Sequence, residues 1–182
     1  MSTKIILNKL IIKNFKGIKH FEIEFNNTET SIFGANEAGK TSVYDAYHWL
    51  LFGKDSSDRK DFSIKPLDSN GNTNKDLETE VLAYINVNGA DISLKRTYYE
   101  KWTKKRGLEE KEFTGNEQSF FYNEVPLKQG DYNLKIASII DEKLFKLLSN
   151  PLYFNTLKWE ERRQILINMA PPTSSEHVLK EI

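Results

Sequence analysis

A chain of 182 residues with 38% apolar and 12% aromatic side chains can bury a real core, yet its apolar runs are too short for a membrane-spanning helix or a secretory leader. Twenty-six basic residues balance twenty-six acidic ones, so bulk attraction to nucleic acid is unsupported and any such contact needs a local patch. The absence of cysteine removes disulfides, thiolate metal ligands and thiol nucleophiles, and agrees with an expected cytoplasmic setting.

Ile5 to Phe15 is rich in β-branched residues, and His20 to Phe25 puts Phe21, Ile23 and Phe25 on one side. Two strands are expected there, with a turn at Lys16 and Gly17. A third short strand, Thr28 to Phe33, runs into Gly34-Ala35-Asn36-Glu37-Ala38-Gly39-Lys40-Thr41. Val43, Ala46, Tyr47, Leu50 and Leu51 then recur at helical spacing, with Gly53 as the stop. Ser56 to Asp76, containing Pro66 and an Asp68-Ser69-Asn70-Gly71 turn, reads as an irregular surface excursion. Glu80 to Val87 and Asp91 to Tyr99 alternate about Asn88-Gly89, which predicts a tight hairpin. Lys101 to Glu112 reads as a charged hairpin tip or loop; Glu109, Glu110 and Glu112 follow Lys101, Lys104, Lys105 and Arg106 so closely that a solvated surface is expected rather than a nucleic-acid contact. Phe120 to Val125 is a candidate return strand.

The remainder reads as helical. Leu134, Ile136, Ile139, Ile140, Leu144, Leu147 and Leu148 predict a helix over Tyr132 to Leu148, broken at Asn150-Pro151 and resumed from Leu157 to Met169. Pro171-Pro172 ends that helix, and Thr173 to Ser175 with Glu176 would cap another. A helix starting so near Ile182 points to a larger parent protein.

One motif carries chemistry. Gly34 to Thr41 matches the phosphate-binding pattern G-x-x-x-x-G-K-[ST], placed between an apolar strand and an apolar helix as that pattern requires. Gly34 and Gly39 let the backbone turn so that its N–H groups, those of Glu37 and Ala38 among them, form a concave nest, and the helix offers its positive end to the same anion. Lys40 is expected on the β- and γ-phosphates of a nucleoside triphosphate, as the catalytic residue of the site. Thr41 is the expected magnesium ligand, and Ser42 the contact to the α-phosphate.

Other features are weaker. Ile139-Ile140-Asp141-Glu142 could be a strand end delivering acidic residues, but the flanking apolar spacing favours the solvated side of a helix. His20, His48 and His177 are too scattered for a metal cage. Arg162 and Arg163 fit surface contacts, and Trp49 and Trp159 are core candidates.

Leu10 to Ile18 (L-I-I-K-N-F-K-G-I), Phe21 to Phe25 (F-E-I-E-F) and Gly34 to Ser42 (G-A-N-E-A-G-K-T-S) together resemble the N-terminal lobe of the RecF/RecN/SMC superfamily of ABC-type ATPases, SbcC-like DNA-repair ATPases and their phage-encoded kin in particular. Asn36 matches the asparagine of that family's loop, and Lys16 the basic position that lies near its nucleotide. Leu94-Lys95-Arg96 resembles the family's hairpin with a terminal arginine; Leu144 to Phe154 and Trp159 to Leu166 resemble the helices before its coiled coil. Glu37-Ala38 departs from the usual Gly-Ser, which the backbone tolerates if neither position demands a positive φ. The region expected to hold the Q-loop glutamine contains Asn150, Phe154 and Asn155, and neither a signature sequence nor a convincing Walker B follows.

The resemblance implies an α/β P-loop head lobe: a mixed sheet with an antiparallel edge, a nucleotide-binding lobe over 1–131 and a helical subdomain over 132–182 leading towards a coiled coil. It implies ATP and magnesium as ligands, a second ATPase head lobe and DNA as partners, a nuclease as a further one, no membrane, and hydrolysis completed by a C-terminal lobe. The alternatives are a nucleotide-gated interaction module that does not turn over ATP, and another P-loop GTPase or kinase. The GTPase reading is disfavoured because Asn8-Lys9-Leu10-Ile11 lacks the aspartate of a guanine-reading motif and precedes the loop.

Overall fold

The structure, a computed structural model, describes residues 3–68, 70–74, 77–104 and 111–170. It divides into two compact units, 1–139 and 140–182. In the first, β1 (Ile5–Phe15), β2 (Ile18–Glu24), β3 (Thr79–Val87), β4 (Ala90–Lys104), β5 (Lys111–Tyr122) and β6 (Val125–Leu127) form one sheet in the order β2-β1-β3-β4-β5-β6. Every pairing among the described strands is antiparallel. The helices of this unit are α1 (Lys40–Phe52) and α2 (Gln129–Ile139).

Both predicted hairpins form. Asn88 and Gly89, at φ 52 and 94, make the tight turn of β3 and β4, a conformation that glycine adopts freely and asparagine tolerates. β4 and β5 run further than the sequence predicted, reaching Lys104 and Lys111, with Trp102 paired to Phe113 beyond a bulge at Thr114. The part of the charged tip at 105–110 lies outside the described residues, as does the cap expected at Thr173 to Ser175.

Strand alternation selects the buried face. Leu10, Ala83 and Leu94 lie in one cross-strand row, and Ile12, Val81 and Arg96 in the next. This face meets Val43, Ala46, Trp49 and Leu50 of α1, all at most 7% exposed, and Tyr132 and Ile136 of α2. Each fully buried aliphatic or aromatic side chain contributes about 1.5–3 kcal/mol, so α1 is held chiefly by this packing.

Three expectations need correction. Thr28 to Phe33 joins no strand among the described residues: it has no regular secondary structure, and Phe33 is 89% exposed. Only Ile32 and Phe33 of the segment are apolar, and a strand also needs a neighbour to take its backbone bonds. The single helix expected over Tyr132 to Leu148 is two, because Asp141 ends the run by capping α3 (Glu142–Ser149), its carboxylate accepting from the Leu144 amide at 2.8 Å. Trp159, expected in a core, is 61% exposed on α5 (Trp159–Met169).

In the second unit, α4 (Tyr153–Thr156) lies between α3 and α5, and Lys143 pairs with Glu161 at 3.3 Å. Among the described residues no helix is long and apolar enough to cross a membrane.

Candidate functional site

α1 opens from the loop without a side-chain cap. Its N-cap is Gly39, in the left-handed region at φ 93, and its first turn contains no acid. The Val43 N–H donates to the Gly39 carbonyl at 3.1 Å, so the amides of Lys40, Thr41 and Ser42 precede the helical ladder and stand at the positive end of the helix. Gly39 is required by its backbone angle. Gly34 is favoured by space: a Cβ there would lie 3.2 Å from that of Ala38, closer than two carbons sit without the neighbour giving way by a few tenths of an ångström.

The Lys40 ammonium bends back and donates to the carbonyls of Gly34 and Ala35, both at 2.7 Å, which holds a cation at the loop. Glu37 sits at φ 67. The condition on which Glu37-Ala38 would be harmless therefore fails, and the left-handed backbone costs a residue with a Cβ about 1–2 kcal/mol.

Lys16 reaches the flank of α1. Its ammonium lies 2.6 Å from Asp45 Oδ2 and 5.0 Å from the Phe62 ring centroid, while Ile18 of the same hairpin lies 3.6 Å from where a Cβ of Gly39 would be. The β1–β2 turn and the loop are thus neighbours. Asp45 is 4% exposed, and its other oxygen accepts from the Ser56 amide at 2.9 Å. Below α1, Asp55 is 1% exposed and accepts from the amides of Ser57 and Arg59 and from Arg59 Nε at 2.7 Å. Burial alone would raise the Asp55 carboxyl, but the Arg59 amide, then its guanidinium and the Ser57 amide, hold it below the ordinary value of 3.8. Lys16, Gly17, Arg59, Phe62, Ser63, Lys65 and Leu67 line a cavity of about 550 Å³. Each of its three cations has a carboxylate: Asp45 for Lys16, Asp55 for Arg59 and Glu100 for Lys65.

Sequence reasoning missed Asp45, Asp55 and Arg59. The signals were a lone acid among the apolar residues of α1 and the i, i+4 spacing of Asp55 and Arg59. The structure also resolves the weaker features. Asp141 caps α3, and Glu142 pairs with Lys146 at 2.7 Å, so neither ends a strand. Asn150 closes α3, and Phe154 and Asn155 lie in α4. His48 is buried and contacts the Lys54 carbonyl, His20 lies 3.9 Å from Glu22, and His177 is outside the described residues. No cluster of three or more His, Cys, Asp or Glu residues that could hold a metal occurs among the described residues.

In this unit an antiparallel sheet is backed by a helix that springs from a loop of the G-x-x-x-x-G-K-[ST] pattern. The chain belongs to the AAA domain family, whose model matches residues 9–178. It is similar to an uncharacterized protein of Mycobacterium tuberculosis, 38% identical over 81 residues, which are 43% of this chain and 9% of the relative. It is also similar to the DNA replication and repair protein RecF of Parabacteroides distasonis, 39% identical over 59 residues, 32% of this chain and 16% of the relative. Both matches take in less than a fifth of the relative.

Among solved structures, the Smc head bound to the C-terminal winged-helix domain of ScpA matches 75% of this chain and 42% of its own, with TM-score 0.52 and 23% identity. RecF in its ATP-bound form matches 94% and 48%, with TM-score 0.51 and 17% identity. The fold is that of these heads.

Proposed function

We propose that this chain binds ATP on the Gly34 to Ser42 loop and forms half of an ATPase site working in DNA repair, recombination or phage DNA metabolism. The observation that carries the reading is the uncapped start of α1: three free-standing amides beyond a left-handed Gly39, with the Lys40 ammonium held at the same loop. The amides of Asn36, Glu37, Ala38 and Gly39 would cradle phosphate oxygens, Lys40 would meet the β- and γ-phosphates, and Ser42 would meet the α-phosphate. Thr41, exposed on the first turn, would hold magnesium, which supplies positive charge to the phosphates. Lys16 and the cavity beside it would take the nucleoside end.

ATP is favoured by the fold shared with ATP-bound RecF, and the DNA-linked role by the name of the RecF relative. A complementary lobe is favoured by Thr28 to Phe33, an exposed, unpaired segment that carries Ile32 and Phe33 directly into the loop, where a strand from that lobe would add. Walker B and signature residues would come from that lobe, beyond a coiled coil continuing the 140–182 unit as in SbcC-like proteins. A nuclease would be a further partner, and the cytoplasm the setting. Alone, the chain would bind nucleotide with little turnover.

Titration with ATP and magnesium tests the site. Lys40→Ala is expected to weaken binding roughly ten- to hundredfold, the worth of a charge-assisted contact, and GTP to bind less tightly than ATP. Equal affinity of variant and parent would refute the assignment.

A further inference from the structure

The cross-strand row Ile12, Val81, Arg96, Phe120 runs beneath α1, and one member of this apolar row is a cation. Arg96 is 3% exposed. Among the described residues no carboxylate pairs with it. Its Nε and one terminal nitrogen donate to Gln118 Oε1 at 2.9 and 2.7 Å, and the other terminal nitrogen donates to the Trp49 carbonyl at 2.7 Å. The guanidinium carbon lies 4.8 Å from the ring centroids of both Trp49 and Phe120. Burial lowers its pKa to about 10, which leaves it charged at neutral pH.

The partner on α1 is telling. Trp49 lies in the last turn, whose carbonyls form the negative end of the helix, and a guanidinium there is favoured. The next carbonyl, that of Leu50, accepts from the Tyr132 hydroxyl at 3.1 Å. Gly53, the C-cap at φ 72, leaves the room: a Cβ would stand 2.7 Å from one Arg96 nitrogen. A methionine would fill the same row without the desolvation cost of a buried charge. What it cannot do is bond to a carbonyl of α1 at a fixed distance. Packing of Val43, Ala46 and Leu50 resists separation of helix and sheet but only weakly resists sliding, whereas directional bonds at the last turn resist both. α1 is a 13-residue rod about 20 Å long, so its axial position and rotation at Trp49 set where its first amides point.

We propose that Arg96 is a positioning residue: by gripping the carboxyl end of α1 it fixes the register of that helix on the sheet and so the aim of the loop amides at a bound phosphate. The inference rests on the phosphate-site reading above.

The test uses the 182-residue chain, with Arg96→Met, Arg96→Lys and Tyr132→Phe titrated with ATP and magnesium under conditions where circular dichroism shows each variant folded. Arg96→Met is expected to weaken binding roughly three- to thirtyfold, the range for residues coupled to a site through packed structure. Arg96→Lys should recover part of that loss, since an ammonium can serve the Trp49 carbonyl but not Gln118 as well. Tyr132→Phe should weaken binding by less. A purely structural Arg96 would give a lower denaturation midpoint with unchanged affinity of the folded chain, which overturns the proposal. If Arg96→Met does not fold, unchanged affinity in Tyr132→Phe overturns it equally. Failure of the underlying reading looks different: the parent itself does not bind, or Lys40→Ala binds like the parent, and the inference falls with it.

Discussion

Glu37→Gly should make this protein both more stable and a better phosphate binder, and the two gains can be separated. Glu37 holds φ 67, a basin that costs an L-residue about 1–2 kcal/mol and glycine almost nothing. Glycine gives back about 0.5–1 kcal/mol because its unfolded chain is freer, so the net gain is about 0.5–1 kcal/mol. In a chain of this length that corresponds to a rise of about 1–4 °C in the thermal midpoint. In the proposed site the side chain would also put a carboxylate on the rim of the anion nest, and removing it should tighten phosphate binding by roughly twofold at moderate salt. Glu37→Gln is the control: it keeps the Cβ and the strain but loses the charge, so it should bind more tightly with an unchanged midpoint. Thermal unfolding by circular dichroism and titration with ATP and magnesium read the two effects. A glycine variant no more stable than the glutamine variant would show that backbone strain at this position is not what the structure implies. If neither variant binds more tightly, the carboxylate does not face the bound anion.

Gly53→Ala should cost about 2–4 kcal/mol in urea denaturation, from left-handed strain and from displacing the Arg96 guanidinium that a Cβ would meet at 2.7 Å; a loss below about 1 kcal/mol would mean that the guanidinium does not crowd the helix end. Asp55 supplies an acid-sensitive contribution. Its carboxyl is held below the ordinary 3.8, so its stabilisation is complete above that value and drains away as pH falls through the lower, folded-state value. The stability difference between parent and Asp55→Asn should therefore be flat from pH 6 to 8 and shrink below about pH 4; a difference that instead changes across neutrality would refute the assignment. Phe33→Ser should leave the midpoint unchanged within about 0.5 kcal/mol, because the ring is 89% exposed; a clear loss would mean that the segment packs within this chain.

Much of the local structure around the candidate site was legible in the residues. The loop, the helix that follows it and the Asn88-Gly89 hairpin are each specified within a dozen positions, where turn chemistry and side-chain period act locally. Lys16 was selected by resemblance, and the structure puts it beside the loop, but on Asp45 of α1. That partnership spans 29 positions and leaves no periodic trace. The Glu37 angle was equally hidden, since a glutamate in a glycine-rich loop says nothing of φ until the path of the loop is fixed by its anchors. Arg96 shows the same limit from another side: the alternation of Leu94, Arg96 and Tyr98 does place it on the buried face, yet only the register with Gln118 and the approach of the Trp49 carbonyl explain how a charge can stay there.

By itself, then, the sequence determined the glycine loop, the helix springing from it, the antiparallel hairpins and the apolar face they share, because each of these follows from backbone sterics and hydrophobic spacing among near neighbours. Tertiary structure decided which strand stays unpaired, where the second helix ends and Asp141 begins the third, which tryptophan is buried, and which carboxylate each cation faces. These depend on pairing between segments tens of residues apart, where one register admits a neighbour and the next excludes it.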